Sequence, residues 1–321
     1  MGTALLAAAV VVTGCSSKAS SNSGKKKDVY TIGYSQSNNA EPYRAQLNEQ
    51  LKYFVKQHKN LKLLPISDAH QSSATQVSQV QQFISQHVDV LIVSPNEPGP
   101  LTAAVQQACD AKIPVIILDR SVNTPCYKSF IGGDNYEIGK KAGEAAVQAL
   151  PNGGNVVELR GILSDQPQID RDKGFRDAIA TNPNIKIVAD REGKWLRENA
   201  VPIMQQWLGA YPKIDLVYGQ NDPMALGAQL AAQGVGRANQ IKFIGIDGLA
   251  IPDGGIRAVQ NGVLYTTFIY PTCAKEAAET AEKIVSKESV DKKQTLHTTQ
   301  VTKDNASDLY KQYDMSDKIG K

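Results

Sequence analysis

From Val29 onward the sequence alternates short apolar runs, rich in β-branched residues, with longer amphipathic segments. This rhythm is typical of strand and helix units wound on a parallel sheet whose two faces are both covered by helices. The predicted strands are residues 30–34, 61–66, 90–93, 115–118, 129–131, 155–159, 185–189, 216–218, 242–246 and 265–268. One sheet usually holds about 4–6 strands, so we expect these strands to divide between two sheets.

The chain length of 321 residues also favours two compact lobes over a single domain. A weak internal similarity between the two halves of the sequence supports this division. Residues 89–96 lead through a helix to a strand ending at Asp119, and residues 215–221 lead through a helix to a strand ending at Asp247. We therefore predict an α/β fold of two doubly wound parallel-sheet lobes. Their strand ends would form a cleft, because open α/β sheets bind ligands at that edge.

The N-terminal residues predict where the protein works. Residues 4–12 form an apolar core of signal-peptide length, which runs into small residues and Cys15. This segment resembles the lipobox of bacterial lipoproteins, which implies that Cys15 is lipidated and holds the protein at the outer side of the cell membrane. Residues 16–27 are rich in Ser, Lys, Asn and Gly and predict a flexible tether. The alternative is an apolar N-terminus with an incidental cysteine.

Charge and motif content argue against several functional classes. The formal net charge is only +3 and the lysines are mostly scattered, so we expect no nucleic-acid partner. Gly132 and Gly133 precede a helix without the spacing of a dinucleotide or phosphate-binding loop, so no cofactor is predicted. The chain has no Gly-x-Ser-x-Gly motif, and its four histidines lack metal-ligand spacing. We predict neither a metal site nor a catalytic activity.

The cysteines suggest one crosslink. Cys109 falls near the end of a predicted helix, and Cys126 falls just before the strand that starts at residue 129. Both would lie at the same edge of the sheet if the neighbouring strands are parallel, so a disulfide between them is possible in an exported protein. Cys273 is expected to be a buried free thiol.

Polar side chains follow the apolar strands at the predicted cleft. They supply carboxylates, guanidinium groups and an amide together, the mixture that a neutral polyhydroxylated ligand requires because each hydroxyl both donates and accepts. These residues are Asp119, Arg120, Arg171, Asn221 and Asp247. Taken singly, each has an ordinary alternative: an Asp or Asn at a strand end is often a helix cap, and an Arg on a helix is often solvated. Tyr43 and Trp195 are candidates to stack on the apolar face of a sugar, although Trp195 could equally belong to the core.

Five motifs, in order along the chain, carry a family resemblance. They are VIILDR at 115–120, VELRG at 157–161, IDRDKGF at 169–175, QNDPMALG at 220–227 and IGIDG at 244–248. Together they resemble the ribose- and galactofuranose-type periplasmic sugar-binding proteins of ABC transporters, over most of the chain from Val29 to about Val301. In that family the matching residues contact sugar hydroxyls. The resemblance therefore implies as ligand-binding residues the same five that the chemistry selects: Asp119, Arg120, Arg171, Asn221 and Asp247.

Two further segments bear on the choice of ligand. Gln36, Tyr43 and Arg44 resemble the first loop of the furanose-binding branch, which implies that they contact the ligand. Tyr270 stands where ribose binders carry a glutamine, and this departure argues against ribose itself. The expected ligand is a small sugar, such as a furanose or pentose, or a sugar alcohol.

The resemblance also implies an architecture and a mechanism. It implies the type I periplasmic binding protein fold, with an N-lobe of residues 29–133 plus 271–298 and a C-lobe of residues 134–270 plus 299–321, joined by three crossover strands. A monomer would close over its sugar and deliver it to the permease subunits of an ABC transporter. The alternative is the core of a sugar-responsive transcription regulator or a sensor protein. The residues before Val29 leave no room for a DNA-binding headpiece, which favours the importer.

Overall fold

The computed structural model describes residues 1–2 and 27–320. The predicted α/β fold is confirmed, because parallel sheets alternate with helices along the whole described chain. Cys15 and residues 16–26 of its tether lie outside the described residues, so the predicted lipid anchor stays a prediction.

Thirteen strands are assigned in the described residues. They are β1 Tyr30–Gln36, β2 Leu61–Leu63, β3 Ser67–Asp68, β4 Val90–Ser94, β5 Val115–Leu118, β6 Ser129–Gly133, β7 Gly154–Arg160, β8 Ile185–Glu192, β9 Leu216–Gly219, β10 Lys242–Ile244, β11 Thr267–Phe268, β12 Lys293–Leu296 and β13 Gln300–Val301.

Ten α-helices connect these strands within the same residues. They are α1 Pro42–Lys56, α2 Ser73–Ser85, α3 Pro98–Asp110, α4 Asn135–Ala149, α5 Gln166–Ile179, α6 Arg197–Ala210, α7 Asp222–Gly234, α8 Gly255–Gln260, α9 Ala274–Val285 and α10 Ala306–Tyr313. In residues 1–2 and 27–320, no helix is both long and apolar enough to cross a lipid bilayer.

The strands form two large parallel sheets and one small antiparallel pair. The first sheet has the order β12-β6-β5-β4-β1-β2, with β3 also paired to β1, and the second has the order β10-β9-β7-β8. The small pair joins β11 to β13. The chain thus passes from the first sheet to the second after β6 and returns to the first with β12, while the exact lobe boundaries stay a prediction.

Burial explains why the sheets are covered on both faces. Every residue of β4 and β5 is buried, including those on alternating sides of the strand. A strand that is apolar on both sides needs a helix layer on each face. Helices α1 and α9 pack against one side of the first sheet, where Leu47 and Leu51 of α1 are fully buried.

Some predicted strands have different bounds in the structure. The expected strand 61–66 shortens to β2 and is followed by the separate short strand β3; Pro65, between them, has no amide hydrogen to donate to a neighbouring strand. The expected strand 265–268 shortens to β11, which pairs with β13 and not with the second sheet. Only Thr266, just before β11, still contacts the second sheet, through an isolated parallel bridge with Ile244. Strands β12 and β13 were not predicted. β12 is a polar, half-exposed edge strand with no apolar run to mark it.

Cys109 and Cys126 form a disulfide, with Cα atoms 6.1 Å apart. The bond ties the end of α3 to the segment ahead of β6. Cys273 is buried and free, at the start of α9.

Candidate ligand-binding site

The carboxyl ends of the two large sheets meet at one cavity. It contains about 270 Å³ of space free of protein atoms, counting the part that opens to solvent. Its lining residues are Glu41, Tyr43, Arg44, Asp119, Arg120, Pro167, Arg171, Trp195, Asn221, Asp247 and Tyr270. Nine of the ten residues predicted to bind a ligand are among them.

The first wall of the cavity is built around Arg44. Its Nη2 donates to Asp119 Oδ2 at 2.8 Å, and its Nε donates to Glu41 Oε1 at 3.0 Å. Asp119 follows β5 directly and has a φ of 65°, a left-handed conformation that Asp tolerates better than most residues. Arg44 is 1% exposed, so the two carboxylates compensate a guanidinium that has left water.

Gln36 differs from its prediction. It is fully buried at the end of β1 and does not line the cavity. Its Oε1 accepts a hydrogen bond from Arg44 Nη1 at 2.9 Å, while its Nε2 donates to Tyr34 and Asn48. Its side-chain groups are bonded to Arg44, Tyr34 and Asn48, so in this structure Gln36 supports Arg44.

Arg120 spans the space between the sheets. Its Nε lies 3.0 Å from Oδ2 of Asp165, which stands just ahead of α5 in the second half of the fold. Its Nη1 donates to the backbone oxygen of Asn96 at 3.1 Å, and its Nη2 donates to Glu41 at 3.4 Å. Burial raises the pKa of Asp165 to about 6, against the opposing attraction of Arg120.

The second wall includes Arg171, on the first turns of α5. Its Nε donates to Asn135 Oδ1 at 2.8 Å, and its Nη1 donates to the backbone oxygen of Gln220 at 2.7 Å. The guanidinium carbon lies 4.8 Å from the ring centre of Tyr270 and 5.4 Å from that of Trp195. Arg171 is 3% exposed, so it is not a solvated surface arginine.

Asn221 caps a helix and also lines the cavity. Its Oδ1 accepts from the amide of Met224 and so caps α7, while its Nδ2 donates to the backbone oxygen of Trp195 at 2.9 Å. A side-chain amide has a second Nδ2 hydrogen, which is available to a ligand at the cavity wall.

Asp247 lines the same wall, and Asp222 is buried behind it. Asp222 accepts from Thr267 Oγ1 at 2.6 Å and from the Gly248 amide at 2.8 Å, and burial raises its pKa to about 7. Burial raises the pKa of Asp247 well above its usual range, and the negative charge of Asp222 adds to this effect. A protonated Asp247 can donate a hydrogen bond to a ligand oxygen as well as accept one.

Three aromatic side chains complete the lining. The rings of Tyr43 and Tyr270 lie 5.4 Å apart, and Tyr43 donates its hydroxyl to the backbone oxygen of Pro271 at 3.0 Å. Trp195 has a φ of 69° and is 3% exposed. Its ring packs onto Gly161, where an added Cβ would lie 2.0 Å from a ring carbon. Trp195 thus belongs both to the second hydrophobic core and to the cavity wall.

Several residues of the site were not predicted from the sequence. Glu41 and Pro167 line the cavity, and Asp165 and Asn135 hold its arginines. Glu41 and Asp165 each stand just ahead of a helix, where an acidic side chain is usually expected to cap the helix N-terminus. Neither side chain caps its helix. An acidic residue followed within two positions by a proline in the first turn of a helix was the available signal. That pattern is common at ordinary helix starts, so it does not identify a binding site.

The lining combines basic and acidic groups. Three guanidinium groups (Arg44, Arg120 and Arg171) face three carboxyl groups (Glu41, Asp119 and Asp247). A lining of this kind favours a neutral ligand with many hydroxyls over a strongly charged one. Among residues 1–2 and 27–320 no cluster of His, Cys, Asp or Glu is arranged to hold a metal ion.

Comparison with known proteins decides the family. The model of the periplasmic binding protein domain matches residues 32–289, most of the chain. The chain belongs to this periplasmic binding protein family. The family resemblance inferred from the five sequence motifs is thereby confirmed.

Known periplasmic binding proteins resemble the chain over most of its length. The ribose import binding protein RbsB of Salmonella typhimurium is 32% identical over 72% of this chain and 77% of its own length. The galactofuranose-binding protein YtfQ of Escherichia coli is 31% identical over 83% of this chain and 85% of its own. The solved fructose-binding periplasmic domain of a hybrid two-component system has a TM-score of 0.85 and 34% identity, covering 88% of this chain and 94% of that domain.

These relatives place the chain in a functional class. The curated relatives named above are binding proteins rather than enzymes, and the periplasmic binding protein family works outside the cytoplasm. The chain is thus a periplasmic binding protein of the sugar-binding and polyol-binding group associated with ABC import.

Proposed function

We propose that this protein binds a small neutral sugar, a furanose or pentose, or a sugar alcohol, and delivers it to the permease subunits of an ABC importer. The observation that carries the proposal is the convergence of three guanidinium groups, three carboxyl groups and one amide on a single small cavity. A hydrogen bond to a charged group contributes about 1.5–3 kcal/mol, and micromolar binding corresponds to roughly 8 kcal/mol. About five such contacts leave a surplus after the cost of association.

Binding is coupled to closure of two lobes. Asp119, Arg120 and Arg44 come from the first sheet and its helices, whereas Arg171 and Asn221 come from the second. A ligand can touch both groups only when the lobes are together, so it stabilises the closed arrangement by that differential contact. The lobes are residues 29–133 plus 271–298 and residues 134–270 plus 299–321. Their hinges lie near Asp134, Pro271 and Thr298.

The protein acts as a monomer and contacts the membrane only through a lipid on Cys15. The polar tether of residues 16–27 supports this arrangement, because it is long enough to hold the folded part away from the bilayer. Neither a nucleic acid nor a cofactor takes part.

A sensor is the second candidate function. The likeness to the fructose-binding periplasmic domain of a hybrid two-component system favours it, since the same cleft can serve a different downstream partner. Stimulation of ATP hydrolysis by a reconstituted importer, in the presence of sugar, would distinguish the importer component from a sensor.

A thermal-shift screen tests the proposed ligand class. The panel contains D-ribose, D-fructose, L-arabinose, D-galactose, xylitol and myo-inositol. A ligand at one hundred times its dissociation constant adds roughly 2.7 kcal/mol, so at least one member should raise the melting temperature by several degrees. Asp119→Asn, which suits the left-handed backbone but removes the charge, should abolish that rise, while the matched control Asp110→Asn on α3 should respond like the wild type. The proposal fails if no panel member shifts the wild type, or if Asp119→Asn responds unchanged.

Binding without chemical change separates this function from a hydrolase or isomerase. The sugar is incubated with a stoichiometric amount of protein for a day and recovered by denaturing the protein. We expect it to be recovered intact by mass spectrometry and chromatography. Conversion to another sugar would contradict the proposal.

A further inference from the structure

Asp165 joins side chains from the two sides of the cavity. Its Oδ2 lies 3.0 Å from Arg120 Nε, and it also accepts a hydrogen bond of 3.0 Å from Trp195 Nε1. Arg120 follows β5 of the first sheet, whereas Trp195 stands just ahead of α6 in the second half of the fold. Asp165 is fully buried. One oxygen atom therefore links a guanidinium of one wall to an aromatic ring of the other.

This link sets the orientation of the Trp195 ring. The backbone of Trp195 is already constrained, because its φ is 69° and its carbonyl oxygen accepts from Asn221 Nδ2. The ring lies against Gly161, which leaves no room for a side chain there. The hydrogen bond to Asp165 fixes the remaining freedom of the ring and keeps its face 5.5 Å from the guanidinium carbon of Arg120.

The position is costly for folding. Asp165 Oδ1 is buried without a hydrogen-bond partner, and the side chain does not cap α5 although it stands at the capping position. A buried carboxylate with an unpaired oxygen lowers stability, and such conflicts with folding rules are typical of positions that serve binding. The other polar contacts at this rim, Ser164 to Glu97 and Gln71 to the Lys194 backbone, involve exposed side chains.

We propose that Asp165 is a positioning residue for ligand binding: it holds Arg120 and Trp195 as facing walls and acts through them without touching the ligand. The proposal rests on the proposed function, because it takes the ligand to lie between these two walls. It adds a residue that neither the five motifs nor the cavity lining identifies.

A measurement without any sugar tests the positioning directly. The chain has two tryptophans, so Trp207→Phe leaves Trp195 as the single tryptophan, whose emission is excited selectively at the red edge of the absorption band, where the twelve tyrosines do not absorb. In this background Asp165→Ala should red-shift the emission and increase quenching by acrylamide severalfold, while Asp165→Asn, which keeps an acceptor oxygen, should fall between. Ser164→Ala, which removes a neighbouring exposed contact, is the control and should match its parent. Identical quenching in Asp165→Ala and its parent would overturn the proposal.

A titration tests the consequence for binding. The probe is whichever of the six panel sugars gives the largest thermal shift with wild type. Asp165→Ala should weaken the affinity for this sugar roughly tenfold or more, as expected for lost hydrogen bonds to charged groups. Asp165→Asn should weaken the affinity less, and Ser164→Ala should leave it unchanged. Equal affinities for wild type and Asp165→Ala would refute the positioning role. If no panel sugar binds wild type, the proposed function fails, and the fluorescence result still decides the role of Asp165.

Discussion

Single side chains at the cavity combine folding chemistry with ligand chemistry. Asn221 caps α7 and still faces the cavity, and Asp119 both compensates Arg44 and presents a carboxylate. A variant of such a residue therefore changes stability as well as binding, and the choice of substitution decides which effect dominates.

Asp119→Ala should lower the free energy of unfolding by about 2–3 kcal/mol. It removes a partner of the buried Arg44 guanidinium, and it places a Cβ-only side chain at a φ of 65°. Urea unfolding without sugar measures the loss. Asp119→Asn should lose clearly less, because it keeps an acceptor and tolerates the backbone conformation. Equal losses in the two variants would contradict this account of Asp119.

Glu158 should make stability fall as pH rises. Burial on β7 raises its pKa to about 8 from an ordinary value of 4.5, and the nearby Asp172 adds to the rise. The folded protein holds this proton more tightly than the unfolded chain, so the contribution is full below pH 4.5 and is lost as pH rises through about 8. The slope is at most about 1.4 kcal/mol per pH unit.

Glu158→Gln should remove this part of the pH dependence. The melting temperature of the variant minus that of the wild type should therefore increase as pH rises from 5 to about 8.5. Glu144→Gln, on the exposed face of α4, serves as the control and should follow the wild type across the range. A constant difference between Glu158→Gln and wild type at all pH values would show that Glu158 does not titrate in this window.

The sequence predicted most of the cavity lining but not its supports. Asp119 and Asp247 follow apolar strands, and parallel strand ends converge on one edge, so their meeting could be anticipated. Asp165 and Glu41 stand ahead of helices, where the local sequence suits a cap. The contact of Asp165 with Arg120 depends on how the two halves of the fold pack, and that of Glu41 with Arg120 depends on how two loops of the first half meet. A single sequence carries no local sign of either contact.

At the scale of elements, the pairing of α4 with α5 places Arg171. These helices approach so closely that a Cβ on Gly139 would lie 2.2 Å from the backbone oxygen of Arg171, and one on Gly174 would lie 2.2 Å from the Tyr136 oxygen. Only glycine fits this contact. The two glycines therefore position the arginine through the helix backbone.

Gly139→Ala should lower the free energy of unfolding by about 1–3 kcal/mol and weaken sugar binding, because overpacking displaces α5 together with Arg171. Gly209→Ala is the matched control. Gly209 lies inside α6 with no atom near an added Cβ, so alanine should raise stability by roughly 0.5–1 kcal/mol and leave binding unchanged. A harmless Gly139→Ala would disprove the close helix contact.

Elements with an apolar run were predictable, and edge elements were not. β4 and β5 are buried on both sides, so their sequence is apolar throughout. β12 lies at the edge of the first sheet, and alternate residues face solvent, so its sequence resembles a loop. Its place beside β6 comes from the path of the whole chain rather than from local preference.

At the scale of the molecule, two parallel sheets turn their strand ends toward one cavity lined by both basic and acidic groups. Length and rhythm sufficed to predict two sheets, and the ordered motifs sufficed to predict the family. The identity of the ligand depends on the placement of individual hydroxyls against side chains such as Tyr270, which the pattern of residues does not specify.

Calorimetric titration of the protein with the panel sugar that stabilises it most tests the central claim directly. The account predicts one site per chain with a dissociation constant in the micromolar range or tighter, and at least about tenfold weaker binding for Arg171→Gln, which removes a buried guanidinium from the cavity wall. No heat of binding with any neutral sugar or polyol, or an affinity unchanged in Arg171→Gln, would contradict it.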